Sequence, residues 1–279
     1  MEKNKKPVKA STVLIYVFFC LMMVLYLAPL AWIALTSVKD RAEIYKSPFG
    51  WPTEFHWENY VIAWTKGKLG IAMLNSLIVC VVTLILTLII GSMAAFAIAR
   101  MKWKLSGAAM IYILIGMMIP VHCVLIPLFV RFAGWHLNNN LIGLILPYLT
   151  FSLPTCVFIM SGFFRSIPNE LLESACMDGC SIYQIFFSIC FPLARTGLFV
   201  TGLMTFIGNW NELLLALVFM SDGNKKTLPV ALTKFVTPYQ TNYHFMFPAI
   251  VIAIIPTIIV YCLFSNQIVD GQTTGAVKG

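Results

Sequence analysis

The chain has 279 residues, of which 59% are hydrophobic and only 11% carry a charge. A composition this apolar excludes a soluble globular domain and is typical of a protein that crosses a membrane several times. The formal net charge is +8. Anionic headgroups of the inner leaflet account for such a charge, so we expect membrane lipid and no nucleic acid among the partners.

Charge-free windows predict an all-α membrane protein with six transmembrane helices. Most of these windows exceed the roughly 20 apolar residues needed to cross a bilayer, whereas the fifth in chain order is shorter and is interrupted by Glu212. The predicted spans are residues 12–36, 71–98, 108–130, 141–163, 193–220 and 245–266. We expect residues 12–266 to form one transmembrane domain between tails of residues 1–11 and 267–279.

Basic residues near the span ends predict the orientation in the membrane. Four lysines precede the first span, and three basic residues crowd the short loop after the second span; these are Lys3, Lys5, Lys6, Lys9, Arg100, Lys102 and Lys104. Positive charge close to a span favours the cytoplasmic side, so we expect a cytoplasmic N-terminus. An even number of spans then returns the C-terminus to the same side.

The first loop after span one is expected outside and is rich in tryptophan, a residue that favours the membrane–water boundary. Spans three and four each contain two prolines, namely Pro120, Pro127, Pro147 and Pro154. Proline removes a backbone donor, so these spans are predicted to be kinked helices packed within a bundle.

A hydrophilic segment at residues 165–192 separates spans four and five. Pro168 suits the first turn of a helix, and Glu170 and Glu173 place negative charge near the positive end of that helix. Gly179 offers a left-handed residue that ends it. Ser181 and Gln184 have the spacing of a capping box, so the pattern predicts helix, tight turn, helix at the membrane surface.

The first of these helices is predicted to be amphipathic. An apolar stripe of Leu171, Leu172, Ala175 and Cys176 is expected on one face, with Glu170, Glu173 and Met177 on another. The small side chain of Ala175 at the centre of the helix would allow another backbone to approach closely.

The segment contains Glu173, Ala175, Gly179, Ile189 and Pro192, and this spacing resembles the cytoplasmic EAA loop of ABC-importer permeases. The resemblance implies a type I ABC-importer permease fold in which the segment is a coupling helix seated in a groove of an ATP-binding subunit. The residues implied in that contact are Glu170, Leu171, Leu172, Glu173, Ala175, Asp178, Gly179, Ile189 and Pro192. Ser174 departs from the usual pattern, which has Ala there.

Three further stretches resemble the carbohydrate importers of this family. They are residues 208–217 and 227–232 and the ending 274–279, which is similar to the tail of the smaller maltose-type permease. The resemblance implies an inner-membrane subunit that pairs with a second permease as a heterodimer, with two ATP-binding subunits and an extracytoplasmic sugar-binding protein. Asn266 and Asp270 depart from the family, which tends to carry basic residues there.

Glu212 is the one acidic residue inside a predicted span, where a charge is costly. It could line the substrate pathway beside Asn209 and Asn211, or it could be solvated near the outer mouth or paired with a partner subunit. The outer loop before span six could contact the binding protein or be an ordinary solvated loop. The residues in question are Lys225, Lys226, Tyr239, Gln240 and Asn242.

No P-loop pattern occurs in the chain, and no catalytic, cofactor or metal-ligand arrangement is expected. Cys176 and Cys180 are four residues apart, but Gly179 interrupts the helix between them, so a zinc site is not expected. The favoured hypothesis is the permease subunit of an ATP-driven sugar importer. Alternatives are a permease for another small polar solute, an ion-coupled secondary transporter, which needs intramembrane carboxylates besides Glu212, and a membrane enzyme, which needs a cluster of His, Asp or Glu.

Overall fold

The computed structural model describes residues 10–101, 103–236 and 241–276, with backbone alone for residues 10 and 265–276. Helices dominate this part of the chain, which has no strand and one isolated β-bridge, between Val236 and Thr241. The helices are α1 (Ala10–Thr36), α2 (Arg41–Lys46), α3 (Glu58–Gly67), α4 (Leu69–Arg100), α5 (Ser106–Met118), α6 (Val121–Gly134), α7 (Ile142–Ser166), α8 (Asn169–Met177), α9 (Ile182–Gln184), α10 (Phe191–Leu193), α11 (Arg195–Trp210), α12 (Leu214–Phe219), α13 (Leu228–Leu232) and α14 (Tyr243–Ala276).

Four helices in the described residues are long and apolar enough to cross a membrane without interruption: α1, α4, α7 and α14. Two further spans are bent pairs. Helices α5 and α6 meet at 91°, and the segment Ile182–Leu193 meets α11 at 76°. Counting each bent pair as one span gives up to six spans, the number that the sequence predicts. The second pair runs from Ile182 to Trp210, whereas the fifth span was predicted at residues 193–220.

Span three is broken, which the prediction of a single kinked helix at residues 108–130 did not anticipate. Helix α5 ends at Met118, and Pro120 precedes the first residue of α6. Ile119 lies in the extended region with ψ of 112° because a following proline disfavours the helical conformation. Pro127, in contrast, lies within an uninterrupted α6. The same holds for both prolines of α7, so one of the four prolines breaks its helix.

Span five is also interrupted, at the place where its charge lies. Helix α11 ends at Trp210, and α12 begins at Leu214. Asn211, Glu212 and Leu213 therefore separate two helices rather than continuing one across residues 193–220.

The chain divides into two compact units. The first comprises Met1–Gly67 and Lys234–Ile252, and the loop after α1 is built around Lys39, which is fully buried. The Lys39 ammonium donates to the carbonyl oxygens of Ser47 at 2.9 Å and Gly50 at 2.6 Å. Asn59 in α3 donates to the Lys39 carbonyl at 2.9 Å. A buried cation is tolerated here because carbonyl oxygens surround it.

The second unit comprises Lys68–Thr233 and Ala253–Gly279, and α4 and α7 are its central pair. Small residues line their contact, as expected where membrane helices approach closely. A Cβ atom at Gly91 would lie 2.5 Å from the Cys156 sulfur. The Cys156 thiol in turn donates to the Thr87 carbonyl at 3.3 Å.

We predict that Gly91→Ala destabilises this unit, because the added methyl group would overlap the Cys156 side chain. Overpacking of this kind costs about 1–3 kcal/mol. Gly162→Ala is the matched control, since nothing lies within 4 Å of a Cβ atom built there. Thermal aggregation of the detergent-solubilised variants measures the effect, and equal midpoints for both variants would contradict the packing described.

Candidate functional site

The segment between spans four and five folds as helix, tight turn, helix. Pro168 was predicted in the first turn of this helix. Helix α8 begins at Asn169, however, so Pro168 immediately precedes it. Gly179 has φ of +78°, a conformation that costs other residues energy. Its N–H donates to the Cys176 carbonyl at 3.1 Å, and the Cys180 N–H donates to the Ala175 carbonyl at 3.0 Å. These two bonds form a Schellman motif at the end of the helix.

The second helix begins at the capping box that the spacing predicts. The Gln184 N–H donates to the Ser181 hydroxyl at 3.4 Å, and the Ser181 N–H donates to the Gln184 side-chain oxygen at 2.7 Å. After the short α9 the chain forms a π-helical turn at Ile185–Cys190 before α10. Such turns often mark functional positions in a helix.

The predicted apolar stripe of α8 is only half right. Ala175 is buried and Leu172 is half-buried, but Leu171 and Cys176 face solvent. Met177, expected on the other face, is 87% exposed. Ala175 belongs to the core cluster of its own chain, so its small size allows close packing within the chain rather than the approach of another protein.

An aromatic cluster holds the segment against the spans. Phe186 in the π-helical turn is 3% exposed. Its ring centroid lies 5.3 Å from that of Phe96 in α4 and 6.1 Å from that of Phe164 in α7. The second half of the segment is therefore anchored in the core beneath it, which leaves the outer face of α8 exposed.

Arg100, the last residue of α4, is the polar counterpart of this cluster. Its Nε donates to the Phe164 carbonyl at 2.7 Å, and its Nη1 donates to the Asn169 side-chain oxygen at 2.7 Å. Its Nη2 donates to the Ile167 carbonyl. From the sequence alone, Arg100 indicates only the side of the membrane that its loop is expected to face. Its contacts are 64 to 69 residues away in the chain, and no local pattern predicts them.

The other residues that the resemblance implies in coupling lie mainly at the surface. The exposed ones are Glu170, Leu171, Glu173, Asp178, Gly179 and Pro192, and the half-buried ones are Leu172 and Ile189. Together they present a face that combines acidic and apolar side chains.

Glu212 makes contacts within its own chain, which neither alternative for this residue anticipated. Its Oε2 accepts a hydrogen bond from the Tyr148 hydroxyl at 2.5 Å. Its two carboxylate oxygens also accept from the backbone N–H groups of Leu215 at 2.7 Å and Ala216 at 3.2 Å. The carboxylate thus caps the start of α12 and ties it to α7.

The two asparagines predicted beside Glu212 differ in burial and in hydrogen bonding. Asn211 is exposed, and its side chain donates to the Ile207 carbonyl of its own helix at 2.9 Å. Asn209 is half-buried, and its side-chain nitrogen has no partner among the described residues. The Glu212 N–H donates to the Asn209 carbonyl at 3.4 Å, but among the described residues no side-chain hydrogen bond joins these three residues.

Side chains of α4 hold the loop that follows α12 in place. The Asn75 side chain donates to the carbonyls of Asn224 at 2.9 Å and Lys226 at 3.0 Å. The Leu228 N–H donates to the Ser76 hydroxyl at 2.8 Å. Lys225 is exposed on this ordered loop.

The remaining predicted contacts of the outer loop lie elsewhere. Tyr239 and Gln240 fall outside the described residues. Asn242 is half-buried, and its N–H donates to the Phe235 carbonyl at 2.9 Å in the first unit.

We predict that Glu212→Ala destabilises the protein more than Glu212→Gln. The alanine variant leaves the Tyr148 hydroxyl and the Leu215 N–H without their acceptor, at about 1–3 kcal/mol for each unpaired donor. Glutamine keeps one acceptor oxygen. Thermal unfolding in detergent measures the difference, and an alanine variant as stable as the wild type would show that these bonds contribute nothing.

A family model describes the larger part of the chain. Residues 87–271 match the family "Binding-protein-dependent transport system inner membrane component". This range contains the whole segment 165–192 together with Arg100 and Glu212.

Characterised relatives match over nearly the full length. Permease protein NgcG of the diacetylchitobiose uptake system of Streptomyces coelicolor is 35% identical over 92% of this chain and 86% of that protein. Permease protein AraQ of the arabinooligosaccharides transport system of Bacillus subtilis is 31% identical over all of both chains. Permease protein SugB of the trehalose transport system of Mycobacterium tuberculosis is 33% identical over 91% of this chain and 93% of that protein.

A solved structure has the same fold. It is a bacterial ABC transporter involved in the import of the acidic polysaccharide alginate, one chain of which matches with a TM-score of 0.81 and 22% identity. The match covers 94% of this chain and 99% of that chain, and it confirms the ABC-importer permease fold. The chain belongs to the family of binding-protein-dependent transport system inner membrane components.

Proposed function

We propose that this chain is the permease subunit of an ATP-driven importer and forms the translocation pathway for a mono- or oligosaccharide. The relatives named above serve diacetylchitobiose, arabinooligosaccharides and trehalose, which supports a carbohydrate. The observation that carries the proposal is the segment 165–192, in which a Schellman turn and a capping box present an exposed helix at the end of two spans. A chain without a P-loop needs such a surface to receive work from another subunit.

A permease that does not hydrolyse ATP needs several partner subunits. Two ATP-binding subunits supply the energy, an extracytoplasmic binding protein delivers the sugar, and a second permease completes the pathway. The similarity of residues 274–279 to the smaller maltose-type permease favours a different chain as the second permease, hence a heterodimer. The chain lies in the bacterial cytoplasmic membrane with both termini, residues 1–11 and 267–279, on the cytoplasmic side of a domain of residues 12–266.

The exposed face of α8 is the surface that contacts the ATP-binding subunit. Leu171 and Met177 supply apolar contact area, and Glu170, Glu173 and Asp178 supply negative charge. We expect the complementary groove to be apolar in its centre and basic at its edge, since matched potentials orient partners as they meet. The opposite side of α8 packs on the core of this chain through Ala175 and Leu172, and Ile189 packs on the same core, so these residues hold the helix in position.

Transport proceeds by movement of rigid bodies and involves no chemistry on the sugar. ATP binding closes the two ATP-binding subunits and brings the coupling helices of both permeases together. The spans rotate with them, so a cavity between the permeases changes from inward-facing to outward-facing. Each ligand shifts this equilibrium only by the difference in its affinity for the two states.

At the outer face, the loop that carries Lys225 and Lys226 is the proposed contact for the binding protein, together with Tyr239, Gln240 and Asn242, which follow it in the sequence. The bonds from Asn75 and Ser76 support this role because a loop already fixed in place loses little entropy on binding. Glu212 supports the pathway by keeping the broken span five in shape, with Asn209 and Asn211 nearest to it in the sequence.

The function is tested by purifying the complex on an affinity tag on this chain and reconstituting it in proteoliposomes. We expect an ATPase to co-purify, and uptake from a panel of labelled diacetylchitobiose, arabinooligosaccharides and trehalose to require ATP and the binding protein. Uptake by the chain alone, driven by an ion gradient, would instead establish a secondary transporter. Uptake of a non-sugar solute alone would correct the substrate class.

Gly179→Val is expected to weaken the contact with the ATP-binding subunit. A residue with a Cβ atom costs about 1–2 kcal/mol in the left-handed conformation that Gly179 adopts, so the end of α8 shifts. Gly179→Asn is the matched control because asparagine tolerates this conformation. The fraction of ATPase that co-purifies measures the effect. Wild-type co-purification and ATP-dependent uptake for the valine variant would exclude this turn from coupling.

A further inference from the structure

We infer that Arg100 is a positioning residue that transmits movement of residues 165–192, the proposed coupling segment, to α4. The inference rests on the proposed function, in which residues 165–192 contact an ATP-binding subunit. Arg100 is half-buried at the end of α4, beside the joint between α7 and α8.

The guanidinium group spans this joint. On one side it binds the Phe164 carbonyl in the last turn of α7, and on the other it binds the side chain of Asn169, the first residue of α8. The Ile167 carbonyl between the two helices is its third acceptor. Since arginine is planar and its donors have a fixed geometry, these bonds set the position of α8 relative to α4.

An apolar contact supports the same connection one turn earlier. Phe96 precedes Arg100 by four residues and therefore lies on the same face of α4. Its ring centroid is 5.8 Å from that of Phe164 and 5.3 Å from that of Phe186. Both halves of the coupling segment are thus joined to the end of one helix, α8 by Arg100 and the π-helical turn by Phe96.

Helix α4 is suited to carry the displacement further. It is a single helix of 32 residues, about 48 Å long at 1.5 Å per residue. Its outer end holds the loop after α12 through Asn75 and Ser76. A shift at Arg100 therefore reaches the proposed binding-protein contact through a continuous rigid element that is bonded at both ends.

A purely local role for Arg100 makes a different prediction. If the guanidinium only completes the hydrogen bonding of the carbonyls at the end of α7, its loss would reduce stability and assembly without changing how ATP hydrolysis is linked to transport. The ratio of sugar imported to ATP hydrolysed separates the two roles, because a structural defect lowers both quantities together.

The test uses Arg100→Lys in the full complex, purified and reconstituted as above with the sugar of the panel that wild type imports fastest. Lysine keeps the positive charge but loses the fork that binds three acceptors. We expect normal ATPase co-purification and retained ATP hydrolysis, with about a fivefold or greater fall in sugar imported per ATP. Arg165→Lys is the matched control: Arg165 lies exposed in the last turn of α7, next to Phe164.

Asn169→Ala is the second variant and keeps the test decisive if Arg100→Lys assembles poorly. It removes one of the three acceptors, so we expect a smaller fall in the same ratio. In the double variant the two changes should be less than additive because they break one network.

The inference is overturned if Arg100→Lys and Asn169→Ala both keep the wild-type ratio, or if assembly and hydrolysis fall together with the ratio unchanged. These results differ from failure of the proposed function. In that case no ATPase co-purifies with the wild-type chain, or Gly179→Val leaves coupling intact.

Discussion

The contact between the Arg100 guanidinium and the joint of α7 and α8 is the interaction on which this end of the second unit depends. The last carbonyls of a helix lack the partners that a further turn would supply. One arginine from another helix binds the Phe164 and Ile167 carbonyls and the first side chain of α8, and the Phe164 carbonyl also accepts the Ile167 N–H at 3.2 Å. The bonds that complete the end of α7 therefore also fix the start of α8.

The same constraint applies at the break in span five. Within a bilayer every interruption of a helix frees backbone groups that water cannot satisfy. At the break in span five the Glu212 carboxylate accepts from the freed N–H groups of Leu215 and Ala216, and Tyr148 binds the carboxylate in turn. The sequence suggests that Glu212 lines a substrate pathway, whereas in this structure its carboxylate caps the start of α12. Glu212 and Arg100 thus both bind backbone groups at the end of a helix, and both contact α7. Glu212 does so at Tyr148, near the start of α7, and Arg100 at Phe164, near its end.

Features set by a residue and its near neighbours could be predicted. Gly179 indicated a left-handed end of a helix, and Ser181 with Gln184 indicated a capping box; both depend on bonds spanning five residues or fewer. Proline was a less reliable guide. Pro120 breaks its helix, whereas Pro147 and Pro154 lie in an uninterrupted α7, since proline at any one position is compatible with either outcome until the neighbouring helices are known.

Hydropathy and short-range hydrogen bonds are properties of adjacent residues, so the membrane class, the number of spans and the local form of segment 165–192 could be read from the sequence. Helix packing, in contrast, places Ala175 in the core and Leu171 in solvent, and it brings Arg100 and Glu212 to partners on α7. An amphipathic pattern defines which side chains share a face of a helix, but it does not define which part of the protein packs against that face. Partners 64 residues apart are brought together by helix packing, which no local spacing encodes.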